Sequence, residues 1–210
     1  MVKTIGVLSL QGGYREHGAH LRECGIDPVY VNDPAQLEMC AGLIIPGGES
    51  SCLRKLLSGF KMDEAIVRCV CEKHLKVWGT CAGAILCANE VMGEDPCLSL
   101  IEMSIERNMF GSQLSSFYED VAIPGICEKP ERLVYIRAPG IRRIWGKTVE
   151  IHRSHGVIMA AENDAVLVTS FHPELSSALS FHHYFIRKCG LEYSDNRRSE
   201  WTRTSWMTQG

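Results

Sequence analysis

Lys76-Val77-Trp78-Gly79-Thr80-Cys81-Ala82-Gly83-Ala84-Ile85-Leu86 is the stretch whose reading decides the fold. Its first residues favour a strand, because Val and Trp fit a pleated surface. The small and aliphatic run from Ala82 to Ala88 reads as a tightly packed helix. Cys81 therefore sits where strand turns into helix, with a glycine two residues away on either side. This is the nucleophile-elbow pattern with Cys in place of Ser. The glycines leave room for a sharp turn that lifts the sulfur out of the sheet, and the positive end of the following helix favours thiolate. A structural cysteine packed between two glycines fits the stretch equally well when it is read alone.

Working outward, Thr4–Leu10 is an apolar run ended by Gln11-Gly12-Gly13 and reads as a buried central strand. A helix follows from Tyr14 to Cys24, closed by Gly25. Strands are expected at Pro28–Val31 and Gly42–Ile45, the second ended by Pro46-Gly47-Gly48-Glu49-Ser50-Ser51. A short helix from Ala35 to Cys40 lies between them, and helices at Ser51–Leu57 and Met62–His74 lead into the elbow strand. Alternating strands and helices predict an α/β fold: a mostly parallel central sheet with helices on both faces. Ligands in such sheets sit at the carboxyl ends of strands, where both Pro46-Gly47-Gly48 and Cys81 fall.

Beyond Glu102 the texture changes to short strand-like runs at Met103–Glu106, Glu119–Ile123, Leu133–Arg137, Val149–His152, Val157–Ala161 and Ala165–Phe171. They are expected to add antiparallel strands to the same sheet in the C-terminal half. Leu175 to Lys188 is expected as one last helix, with Leu175, Ala178, Leu179, His182, Phe185 and Ile186 on one face. His182 and its neighbour His183 read as packing or surface residues. One domain is expected over residues 1–193, followed by a polar tail over 194–210.

Composition narrows the function. The chain has 210 residues, 45% hydrophobic and 22% charged, with a formal net charge of −3. Nothing in that balance favours nucleic acid or a membrane as partner. No apolar run approaches the ~20 residues of a membrane span, and no secretion signal opens the chain, so a cytoplasmic location is expected. The 10 cysteines show no C-x-x-C spacing, which argues against zinc and redox pairs and for reduced, apolar use of most of them.

A cysteine nucleophile needs a base and a group that orients the base. Ser170-Phe171-His172-Pro173-Glu174 supplies both at the end of a strand. Residues two apart in extended chain point the same way, so Glu174 can fix the tautomer of His172. Gly47-Gly48 at a strand end lets backbone N–H groups approach a ligand oxygen, and with the Ala82 N–H could form an oxyanion hole. Each motif alone has an ordinary reading as a turn.

Together they resemble the triad (class I) glutamine amidotransferases. Ile5–Gly12, Pro46–Ser50, Gly79–Gly83, Glu106-Arg107-Asn108, Ser112-Gln113, Ile136-Arg137-Ala138-Pro139 and Phe171–Leu175 resemble, within that class, the glutaminase subunits of pyridoxal 5′-phosphate synthase. The resemblance spans about Thr4 to Lys188. It implies Cys81 as nucleophile with His172 and Glu174 as partners. It further implies that Gly48, Glu49, Ser50, Arg107, Ile136 and Arg137 contact L-glutamine, with Gly48 and Ala82 at the oxyanion. A guanidinium can grip an amino-acid carboxylate in a bidentate fork, which selects free glutamine over a peptide amide. The implied activity is hydrolysis of L-glutamine to glutamate and ammonia without metal or organic cofactor. The implied partner is a separate (β/α)8-barrel synthase subunit that receives the ammonia. The alternatives are a glutaminase serving another amidotransferase, a related cysteine peptidase, and a non-catalytic scaffold, the last opposed by the intact set of Cys81, His172 and Glu174. Ser51-Cys52, Ser176-Ser177-Ala178 and the tail after Tyr193 depart from the family pattern.

Overall fold

The computed structural model describes residues 3–109 and 116–194. Ser112, Gln113 and the expected tail beyond Ser194 lie outside the described residues. Ser194 itself donates its N–H to the Cys24 carbonyl at 3.0 Å.

In chain order the elements are β1 (Thr4–Leu8), α1 (Tyr14–Glu23), β2 (Val29–Val31), β3 (Cys40–Ile45), α2 (Ser50–Gly59), α3 (Met62–Lys73), β4 (Lys76–Thr80) and α4 (Ala82–Cys87). There follow β5 (Ala88–Val91), β6 (Ile101–Glu106), β7 (Ser116–Ile123), β8 (Cys127–Ile136), β9 (Gly140–Ile144), β10 (Val149–Ser154), β11 (Val157–Glu162), β12 (Val166–Thr169) and α5 (Ser180–Lys188). The main sheet runs β2-β1-β3-β4-β12-β11-β9-β6-β5, with β10 paired to β11. Strands β2, β1, β3, β4 and β12 are mutually parallel, while β11 and β9 pair antiparallel with their neighbours. The expected architecture, a largely parallel sheet with antiparallel strands added late, is the one observed.

The parallel strands are buried on both faces, which is why they read as unbroken apolar runs. One core, built on Leu43, Ile45, Val77 and Val168, packs against Leu53, Leu57, Ile66 and Leu86 from α2, α3 and α4. The opposite core joins Ile5, Val7, Trp78 and Leu167 to Leu21 of α1 and to Phe181, Phe185 and Ile186 of α5. The register sets Ile45 beside Gly79 and Thr80 beside Thr169, so β3, β4 and β12 end together along one edge.

Several expectations need correction. The last helix begins at Ser180, not Leu175: Pro173–Leu175 make one 3₁₀ turn and Ser176 is extended. The Ser176 hydroxyl donates to the Pro173 carbonyl and accepts from the Ala178 N–H, both at 3.3 Å, giving this backbone a local alternative to helix. Only Leu179, His182, Phe185 and Ile186 of the expected apolar face are buried. The short helix near Ala35 is a 3₁₀ segment, Pro34–Met39, started by a capping box between Asp33 and Gln36.

Strands β5 and β9 are additional to those expected. β7 and β8 do not join the main sheet; they pair only with each other in the described residues. The β7 burial alternates along the strand, as a ribbon covered on one face must. Ile123, Leu133 and Tyr135 face the second core, where the Tyr135 ring meets Phe171 edge-on at 5.6 Å. Pro130 lies within β8, where it is tolerated because the register shifts between Val121 and Ile123 in a two-stranded ribbon.

Candidate active site

The residues at that common edge enclose a pocket of about 410 Å³, within the range that holds a small ligand. Cys81, His172 and Glu174 line it together with Gly48, Glu49, Ser50, Ala82, Arg107, Ile136 and Arg137. Every site residue expected from the sequence is thus brought to one cavity.

Cys81 occupies the elbow with φ 47° and ψ −103°, a backbone conformation that L residues seldom adopt. Such strain costs on the order of 1–3 kcal/mol and persists only where the surroundings impose it. Here the Cys81 N–H is tied to the Thr169 carbonyl at 2.8 Å and its carbonyl accepts from Ala84 at 3.1 Å. The flanking glycines are demanded by contact. A Cβ on Gly83 would lie 2.0 Å from the Ile45 carbonyl oxygen, and one on Gly79 would lie 2.5 Å from the Gly83 carbonyl oxygen. Ala82, the first residue of α4, carries one of the N–H groups that a helix's first turn leaves without an intrahelical acceptor.

His172 ends the segment after β12, and the Val134 carbonyl of β8 holds its N–H at 2.8 Å. The separate ribbon thereby positions the imidazole and carries Ile136, whose carbonyl lies 4.0 Å from the Cys81 sulfur. His172 Nδ1 and Glu174 Oε1 are 2.8 Å apart, the pairing that residues two apart can make. Burial pushes His172 down, but hydrogen bonds to the Cys81 sulfur and the Glu174 carboxylate outweigh it and raise the group to about 10. Burial pushes Glu174 up, and the imidazoles of His17 and His172 more than reverse that, holding it well below the usual carboxylate range.

The Gly47 loop is fixed on both sides. Gly47 N–H donates to Thr80 Oγ1 at 2.9 Å, and the Gly47 carbonyl accepts from Gly13 at 3.2 Å. Gln11 Oε1 accepts the Glu49 N–H at 3.1 Å. The Glu49 carboxylate caps α2, accepting from Ser51 Oγ at 2.8 Å and Ser51 N–H at 3.3 Å, which holds it below its ordinary range. Arg107 donates to Ser50 Oγ, and its Nε sits 2.8 Å from Glu94 Oε1. Arg137 is exposed at the rim with φ 45°.

Gln11, His17, Thr80 and Glu94 escaped the sequence reading as members of this site. A signal existed for His17, since it shares a three-and-four-residue spacing with buried His20 and Leu21 on α1 and with Cys24 just after it. No pattern announced Thr80 or Glu94, whose roles depend on loops folding over them.

Comparison with known proteins identifies the class to which this fold belongs. A crystal structure of a glutamine amidotransferase superposes with a TM-score of 0.85 at 38% identity, covering 90% of this chain and 100% of that one. A glutamine amidotransferase of Thermotoga maritima shares the fold, at TM-score 0.57 and 13% identity over 91% of this chain and 86% of that one. The class is therefore that of the glutamine amidotransferases. Among curated sequences, the pyridoxal 5′-phosphate synthase subunit PdxT of Syntrophus aciditrophicus is 47% identical over 97% of this chain and 93% of its own length. The subunit of the same name from Pelotomaculum thermopropionicum is 45% identical over 88% of this chain and 94% of its own. The chain belongs to the SNO glutamine amidotransferase family, whose model matches residues 7–191. Among the described residues, no helix is long and apolar enough to cross a membrane.

Proposed function

We propose that this chain hydrolyses L-glutamine and passes the ammonia to a separate barrel-shaped synthase subunit that makes pyridoxal 5′-phosphate. The observation that carries the reading is the meeting of Cys81, His172 and Glu174 in a pocket that also exposes Arg107 and the Gly47-Gly48 backbone. The names of the relatives support the choice of synthase over another amidotransferase.

In the reaction, the Cys81 thiolate attacks the glutamine side-chain carbonyl carbon, and the oxyanion is met by backbone N–H groups near Gly48 and Ala82. The C–N bond breaks as His172 gives its proton to the departing ammonia, leaving a γ-glutamyl thioester. Water then attacks, its proton passing to His172, and the C–S bond breaks to return the thiolate. The new γ-carboxyl group loses its proton to solvent. Glu174 holds the ring and stabilises its charged form throughout. Arg107, oriented by Glu94 and Ser50, receives the α-carboxylate, with Glu49, Ile136 and Arg137 framing the rest of the substrate.

The test is ammonia release from L-glutamine by the full chain, with and without a synthase subunit, for wild type and Cys81→Ala. Turnover that depends on Cys81 is expected, together with glutamine-dependent pyridoxal phosphate when the synthase subunit and its sugar-phosphate substrates are also supplied. Cys81→Ala with undiminished turnover would sink the reading. Cleavage across a peptide panel without glutamine turnover would replace it with a peptidase.

A further inference from the structure

Behind the pocket, α1 and α5 bring three imidazoles together, and one of them, His17, reaches Glu174. His17 and His182 are wholly buried, and His20 is nearly so. Glu174 Oε1 is taken by His172, and its other oxygen, Oε2, lies 3.3 Å from His17 Nε2. The same nitrogen is 3.4 Å from Thr80 Oγ1, and His17 Nδ1 lies 3.0 Å from His182 Nε2. We propose that His17 is a positioning residue of the site: its Nε2–H holds the free oxygen of Glu174, while His182 fixes the ring through Nδ1. The proposal rests on the hydrolytic reading of Cys81, His172 and Glu174.

The chemistry of a buried carboxylate carries the argument. Its two oxygens need donors, because one left bare in a dry interior loses the hydrogen bonds that water gave it. A carboxylate held at one oxygen only can swing about that contact and take the His172 ring with it. Held at both, it has one orientation. Oε2 is buried and makes no well-aligned hydrogen bond among the described residues, and the His17 Nε2 at 3.3 Å is the nitrogen placed to supply one. A neutral His17 protonated at Nδ1 would turn a lone pair on a lone pair. The carboxylate therefore selects the form protonated at Nε2.

The surroundings hold His17 to that task. Trp78 meets the His17 ring edge-on at 5.5 Å and the His182 ring at 5.0 Å, and His20 meets His182 at 4.7 Å. Burial pushes His182 well below its ordinary range, and burial, with the neighbouring His17 acting in the same direction, lowers His20 to about 4. His182 is thus a neutral neighbour that exchanges one hydrogen bond with Nδ1. Thr80 ties this network to the opposite wall, because its Oγ1 also accepts from Gly47.

The test compares wild type with His17→Gln, whose amide nitrogen can take the place of Nε2, and His17→Asn, which reaches only as far as Nδ1. With L-glutamine, His17→Asn is expected to lose about 10- to 100-fold in kcat at nearly constant KM, while His17→Gln stays close to wild type. Adding His17→Asn to Glu174→Gln should cost little more, because both act through one contact. The pH profile of Cys81 alkylation by iodoacetamide, read by peptide mass, needs no substrate. It should shift to higher pH in His17→Asn and stay in place in His17→Gln. If wild type turns over no glutamine, the glutaminase reading fails while the alkylation profile still tests His17. Should the variants not fold, ¹⁵N-histidine NMR of wild type decides: a proton on His17 Nε2 is expected, and a neutral ring protonated only at Nδ1 overturns the proposal. Equal activity and equal alkylation profiles in wild type and folded His17→Asn overturn it as well.

Discussion

Gly47→Ala tests the geometry of the pocket with a single methyl group. The Gly47 backbone suits any L residue, so the substitution acts through contact. The new Cβ would lie 2.4 Å from His172 Cε1 and 3.3 Å from the Cys81 Cβ. Ordinary contact begins near 3.4 Å, so the ring must retreat by about 1 Å (3.4 less 2.4) or the loop must open. The loop resists, because Gly47 is anchored to Thr80 on one side and Gly13 on the other. The ring is held by Glu174, and the His172 backbone by the Val134 carbonyl, which accepts its main-chain N–H. Overpacking of this kind costs about 1–3 kcal/mol in stability. A misplacement of about 1 Å at reacting groups can cost on the order of 10²-fold in rate. Gly47→Ala should therefore melt modestly lower yet lose roughly a hundredfold in ammonia release from glutamine. Gly59→Ala, with nothing within 4 Å of the new methyl, serves as control and should keep full turnover. Wild-type turnover in Gly47→Ala would refute the placement of His172 against this loop.

Gly83→Ala sets a methyl 2.0 Å from the Ile45 carbonyl oxygen, where only backbone could move, and should lower stability by about 3 kcal/mol or more in a denaturant melt. Arg107→Lys removes the planar fork and its contact with Glu94; it should raise KM for glutamine by roughly 10- to 100-fold with a smaller change in kcat, measured by steady-state kinetics. The raised pKa of His172 gives a stability contribution that is fully present below the ordinary histidine range and is lost as pH rises through about 10. The melting-temperature advantage of wild type over His172→Gln should therefore shrink between pH 7 and pH 10, and an advantage that grew with pH would contradict the assigned ion pairs.

Much of the site was legible because its chemistry is local. The spacing of His172 and Glu174 sets their mutual reach before any long-range folding, and they meet at 2.8 Å. The elbow was legible for a similar reason, since Gly79 and Gly83 are needed wherever a strand and a following helix pack this closely. The late strands were harder. Short alternating runs do not say which partner they pair with, and β7 and β8 paired with each other as a ribbon laid over the second core. The start of α5 was misplaced because an apolar spacing continued through residues whose serine hydroxyl had already committed the backbone elsewhere.

The sequence by itself determined the alternation of strand and helix, the strained turn at Cys81 and the pairing of His172 with Glu174, because each depends on neighbours within a few residues. Only the tertiary structure decided that β3, β4 and β12 end level, that β8 pins the backbone of His172, and that α1 delivers His17 to the second oxygen of Glu174. Relations of this kind join residues far apart in the chain: His172 meets Val134, and the His17 ring meets Thr80 and His182 across 63 and 165 positions. They follow from sheet register and helix packing, which burial of the whole core selects and no short stretch of chain encodes.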